Sequence, residues 1–125
     1  MKKKKILLVD DEEDIVMLTA EALKYEGYDV VTAFNGEEAL AKADAEKPDL
    51  AIVDLMLPLL SGSEVVRRLK ENSAHKDMPI IVITALSQQD DPALIRGASA
   101  DFFMVKPFDP GQLLSKIKEL LTPAP

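Results

Sequence analysis

Residues 50–54 read Leu-Ala-Ile-Val-Asp. Four apolar or small side chains in an unbroken row, with no polar alternate, describe a strand covered on both faces. Such strands belong to parallel sheets layered between helices. Asp54 ends the row, and a carboxylate in that company is costly to desolvate, so it is expected at the carboxyl edge of the sheet with a task to perform.

Working outward, short runs of the same kind recur at Ile6 to Val9, Val30 to Ala33, Ile80 to Ile83 and Phe102 to Val105. Between them the apolar period becomes helical. Ile15, Leu18, Thr19, Ala22 and Leu23 form one stripe, with Gly27 as its stop. Asn35-Gly-Glu-Glu38 and Ser61-Gly-Ser-Glu64 have capping-box spacing and open helices carrying Ala39, Leu40 and Ala43, and Val65, Val66 and Leu69. Asp91-Pro92 opens a fourth helix ending near Gly97 or Ser99, and Asp109-Pro-Gly-Gln112 a fifth with Leu113, Leu114, Ile117, Leu120 and Leu121 inward. The pattern is five βα units in one domain, residues 1–121, with 122–125 as a tail or the start of a linker.

Composition narrows the function. The chain of 125 residues contains no cysteine, which excludes disulfides, thiol catalysis and thiolate zinc sites, and suits a reducing, cytoplasmic setting. A net charge of −7 argues against binding nucleic acid through the overall field, and Lys2 to Lys5 read as a solvated lead-in. No apolar run is long enough for a membrane span. His75, in Ser-Ala-His-Lys-Asp, reads as an idle surface-loop residue.

In an open parallel sheet, ligands sit beyond the carboxyl ends of the strands. The residues at those ends are Asp10 and Asp11, Asp54, Thr84 and Lys106. One acidic residue after a strand is ordinarily a turn former or cap, and Glu12, Glu13 and Asp14 read as first-turn residues favouring the helix dipole. Three carboxylates, a hydroxyl and an ammonium on one edge are different. Two like charges about 4 Å apart repel by roughly 4 kcal/mol at an effective dielectric of about 20, so the cluster calls for a cation. Oxygen-only ligands suit a hard ion such as magnesium.

Taken in order, Leu7-Leu-Val-Asp-Asp-Glu-Glu-Asp14, Ala51-Ile-Val-Asp-Leu-Met-Leu-Pro58, Val82-Ile-Thr-Ala-Leu86 and Phe102-Phe-Met-Val-Lys-Pro-Phe108 resemble the receiver domain of two-component response regulators over essentially the whole chain. The resemblance implies a flavodoxin-like three-layer (βα)5 sandwich with strand order 2-1-3-4-5. It implies that Asp54 accepts a phosphoryl group from a histidine kinase, a histidine phosphotransfer protein or a small phosphodonor. Asp10, Asp11, Asp54 and the main-chain carbonyl of Met56 would hold magnesium, or manganese in its place. Lys106 would neutralise developing charge and precede a cis peptide bond to Pro107. Thr84 would close on the phosphoryl group and let Phe103 rotate inward, changing the face of the fourth helix, fifth strand and fifth helix. That face would meet a downstream protein, a fused output domain or a second phosphorylated copy.

Departures from the family pattern are concentrated after the acceptor. Leu59 stands where glycine is usual and Ser61 where aspartate is, although Ser61 can still cap. Ser99 replaces a glycine before Ala100-Asp101. Met56 and Leu86, at positions the resemblance links to hydrolysis rate, are apolar and unable to orient water, which predicts a long-lived phosphoryl group. A phosphohydrolase of the haloacid dehalogenase type would need a second aspartate where Met56 stands, and the scattered glycines make no phosphate loop for a flavin or nucleotide. The alternative is a receiver-like module that binds partners without phosphorylation.

Overall fold

The computed structural model describes residues 3–85 and 100–122. Five strands, β1 (Lys5–Val9), β2 (Asp29–Ala33), β3 (Leu50–Asp54), β4 (Ile80–Thr84) and β5 (Phe102–Val105), make one parallel sheet in the order β2-β1-β3-β4-β5. The described helices are α1 (Glu13–Tyr25), α2 (Gly36–Glu46), α3 (Gly62–Glu71) and the C-terminal α4 (Pro110–Leu121). The helix expected from Asp91-Pro92 to Gly97 or Ser99 lies outside the described residues, as does Leu86. The architecture is therefore the flavodoxin-like sandwich expected from the sequence.

Strand alternation divides the core in two. Leu7, Val9, Ala51, Val53, Ile80 and Val82 face α2 and α3, meeting Ala39, Ala43, Val65, Val66 and Leu69. Ile6, Leu8, Leu50, Ile52, Ile81 and Ile83 face α1 and α4, meeting Val16, Ala20, Leu23, Leu113 and Ile117. Both faces being covered explains why β3 and β4 are buried at every position, while the edge strands β2 and β5 are only partly so.

The helix starts follow their capping residues. Asn35 Oδ1 accepts from the Glu38 N–H at 2.8 Å, Ser61 Oγ from Glu64 N–H at 3.2 Å, and Asp109 Oδ1 from Gly111 N–H at 3.0 Å. Glu38 reaches back one residue past the cap and accepts from Phe34 N–H at 2.6 Å, whereas Glu64 turns to Arg67 and Arg68. Those guanidiniums hold the Glu64 carboxyl down at about 2. Gly27, at φ 99°, follows α1 as expected.

Two readings change. The buried residues of α1 are Val16, Thr19, Ala20 and Leu23, so its inward stripe is rotated from the expected one and leaves Leu18 70% exposed. A continuous apolar arc across α1 admits either orientation, and packing against β1 and α4 selects one. His75 is not on the surface: it is 4% exposed, with Nε2 2.8 Å from Asp44 Oδ1 on α2. Its imidazole joins α2 to the connection before β4, a long-range contact that local polarity could not reveal.

Candidate functional site

The sheet register brings the strand ends into one place. β1 and β3 run in register from Ile6–Leu50 to Val9–Val53, which puts Asp10 and Asp54 side by side at the carboxyl edge. Both are buried, at 4% exposure each, and both make the same local turn. Asp10 Oδ1 accepts from Glu12 N–H at 3.0 Å, and Asp54 Oδ1 accepts from Met56 N–H at 2.9 Å. These bonds fix each carboxylate with its second oxygen free to point elsewhere.

The second oxygens meet Lys106. Its Nζ lies 2.8 Å from Asp10 Oδ2 and 2.9 Å from Asp54 Oδ2, and also 2.9 Å from Glu12 Oε1. The lysine arrives from one residue past β5, where its N–H donates to the Thr84 carbonyl at 2.8 Å. The Lys106–Pro107 peptide is cis, as the resemblance implied.

Electrostatics follow from burial and charge. Burial pushes the Asp54 carboxyl above its ordinary range, and the bonds from Lys106 and Met56 only partly oppose this; the Asp10 charge adds to the rise. Burial acts on Lys106 in the deprotonating direction but is outweighed by the three carboxylates, which hold it firmly cationic. One ammonium thus stands against Asp10, Asp11, Glu12 and Asp54, whose ligand oxygens lie within 4.8 Å of one another. Within this cluster the oxygens of Asp10, Asp54 and the exposed Asp11 make a donor set that fits a hard divalent ion, while Glu12 is turned to Lys106.

Other predicted residues take defined places. Thr84 is fully buried at the end of β4. Alternation puts it on the face of Ile80 and Val82, against which Phe103 packs half-buried. The Met56 side chain is 56% exposed, two residues past Asp54. Leu59 and Leu60 divide their roles. Leu60 packs on the α2/α3 side of the core, and Leu59 is 77% exposed with φ at 69°. Ser99 lies outside the described residues; Asp101 accepts from Ile80 N–H and Lys70 Nζ at 2.8 Å each.

Two features were not visible in the sequence. Glu12, read there as a dipole-favouring residue, sends its side chain to Lys106 instead. The signal that could have found it is the third consecutive acid after β1. The rotated α1 also leaves a groove of about 520 Å³ between α1 and α4, lined by apolar residues such as Ile15, Leu18, Phe108 and Leu114 together with Glu12 and Lys106.

Residues 6–118 match the pattern of the response regulator receiver domain. The alkaline phosphatase synthesis transcriptional regulatory protein PhoP of Bacillus subtilis is 47% identical over 118 residues, covering 94% of this chain and 48% of PhoP. The phosphate regulon transcriptional regulatory protein PhoB of Pseudomonas aeruginosa is 41% identical over 118 residues, covering 94% of this chain and 52% of PhoB. The chain spans about half the length of these curated relatives. Among solved structures, response regulator protein TrrA of Thermotoga maritima in complex with Mg(2+)-BeF superposes with TM-score 0.83 at 42% identity, over 94% of this chain and 99% of that one. A CheY-like receiver domain protein from Methanospirillum hungatei superposes with TM-score 0.87 at 35% identity, over 96% and 94%. Among the described residues no helix is long and apolar enough to cross a membrane.

Proposed function

This chain belongs to the response regulator receiver domain family of two-component systems, and on that premise we propose that it is a phosphorylation-dependent switch whose acceptor is Asp54. The observation that carries the reading is the meeting of Asp54 and Asp10 on Lys106 Nζ, at 2.9 and 2.8 Å, inside a cluster of four carboxylates. A structural ion pair needs one carboxylate per ammonium. The surplus of negative charge is the mark of a site awaiting a cation and a reaction.

In the proposed reaction an Asp54 oxygen attacks the phosphorus of a phosphohistidine on a sensor kinase or phosphotransfer protein. An O–P bond forms, the P–N bond breaks, and the imidazole nitrogen leaves with the electron pair. Asp10, Asp11, Asp54 and the Met56 carbonyl would hold magnesium, which supplies positive charge and oxygen coordination at the phosphoryl group. Lys106 offsets charge on the opposite side, already positioned by its main-chain bond to Thr84. The donor's apolar flank is expected in the α1/α4 groove, since Glu12 and Lys106 are among the residues that line it.

The output step is assigned to Thr84 and Phe103. Their common sheet face supports a coupled movement in which the threonine hydroxyl turns to the phosphoryl group and the phenyl ring takes the released space. The surface built on β5 and α4 then changes its preference for a protein target, an attached output domain or a second copy. Binding of DNA by the whole regulator would fall to other domains.

Intact-mass measurement after incubation with an acyl phosphate and magnesium tests the reading. One added phosphoryl group is expected on the parent protein and none on Asp54→Asn. An unmodified parent would favour a module that binds partners without phosphorylation.

A further inference from the structure

An ammonium has three N–H donors, and three carboxylates of this chain surround that of Lys106. A phosphoryl group arriving on Asp54 needs one of those donors. We infer that Glu12 is the partner given up: a positioning residue that holds Lys106 before phosphorylation and opposes the reaction until it is displaced. The inference rests on the phosphoacceptor reading of Asp54.

Exposure separates the three partners. The Asp10 and Asp54 side chains are 6% and 5% exposed, whereas that of Glu12 is 57% exposed. Releasing a buried carboxylate from its cation leaves an uncompensated buried charge, while Glu12 returns to water at little cost. The two aspartates are also fixed by main-chain bonds from Glu12 and Met56 at 3.0 and 2.9 Å.

The position of Glu12 gives it somewhere to go. It is the N-cap of α1, in extended conformation, yet its side chain makes no capping hydrogen bond. The carboxylate is turned from the helix towards Lys106. Once released, it faces the positive end of α1, where a negative charge is favoured. The exchange therefore joins the state of Asp54 to the helix that carries Ile15 and Leu18 along the groove.

Charge gives the inference its readout. A phosphodonor is an anion, and Glu12 adds to the negative field that meets it. Phosphorylation by an acyl phosphate with magnesium is followed by intact mass against donor concentration in the parent, Glu12→Gln and Glu12→Asp. The neutral glutamine variant is expected to react about threefold to tenfold faster at about 10 mM ionic strength, and less than about twofold faster at about 1 M, as the Debye length falls from about 30 to about 3 Å. Glu12→Asp keeps the charge and is expected to stay near the parent rate.

A parallel magnesium titration followed by melting temperature is expected to leave the metal-induced rise in place in Glu12→Gln. A Glu12→Gln rate equal to or below that of the parent overturns the inference, and so does loss of the magnesium effect, which would make Glu12 a metal ligand. A parent that takes no phosphoryl group at all overturns the phosphoacceptor reading instead.

Discussion

Gly62 lies directly against the backbone of Asp54. Its N–H donates to the Leu55 carbonyl at 3.0 Å, and a Cβ there would run into the Asp54 carbonyl oxygen and the Leu55 Cα. The first turn of α3 is thus seated on the segment that aims the Asp54 side chain. Gly62→Ala must push the two apart, because neither obstacle is a flexible side chain. A loss of about 1–3 kcal/mol is expected by denaturant unfolding, the usual cost of overpacking. Phosphorylation by a small donor should fall by at least about tenfold, since misplacing a reacting group by about 1 Å can cost a factor of about 100. Full stability with full rate would mean that the contact does not position Asp54.

Burial raises the Asp54 carboxyl pKa from an ordinary 3.8, so without metal the folded protein binds this proton more tightly than the unfolded chain does. Stability from this group is therefore present below the ordinary value and lost as pH rises through the raised one. Asp54→Asn removes the dependence. In chelator at neutral pH it should melt above the parent, with the difference shrinking as pH falls below the ordinary carboxylate value. Magnesium should raise the parent's melting temperature, because a ligand that binds only the folded state stabilises it. Melting curves unmoved by both changes would sink the acidic-pocket account.

Leu59 holds a left-handed backbone, φ 69°, while 77% exposed. Its side chain has little burial to lose, and the conformation costs a non-glycine residue roughly 1 kcal/mol. Glycine relieves that strain but gives the unfolded chain more freedom, so Leu59→Gly should gain about 0.5 kcal/mol net. Chemical denaturation checks this. If the leucine is kept for contact with a phosphodonor, the same variant should take label more slowly from its cognate kinase while reacting normally with an acyl phosphate.

Met56 sits two residues past Asp54 with a half-exposed thioether, a weak acceptor that cannot orient water well. Met56→Asn supplies a donor and an acceptor at the same place. The parent's phosphoryl group should persist, and the variant should lose it severalfold faster in magnesium buffer, by intact mass over time. Equal decay would place control of lifetime elsewhere.

The fold was legible because its signals are local. Unbroken rows such as Leu50 to Val53 mark strands covered on both faces, and Asn35, Ser61 and Asp109 cap the helices they precede. The core of the site was legible for a related reason. A parallel sheet must gather its strand ends, so Asp10, Asp54 and Lys106 could be placed together without knowing any distance. What escaped depends on packing between elements. The inward face of α1 was misread because an apolar arc does not say which part meets β1 and α4. His75 was misread because its partner, Asp44, is 31 residues away on another helix. Glu12 was assigned to the helix dipole because local rules know nothing of an ammonium 94 residues downstream.

That ammonium comes from just beyond β5, the edge strand and the last to be made, and it bonds to an aspartate 52 residues earlier. A chain that ends before Lys106 still carries all four acids of the cluster, without the ammonium that pairs with three of them. On the proposed reading, acceptance of a phosphoryl group therefore waits on the docking of Lys106, and a chain clipped before that residue is expected to be silent instead of falsely active.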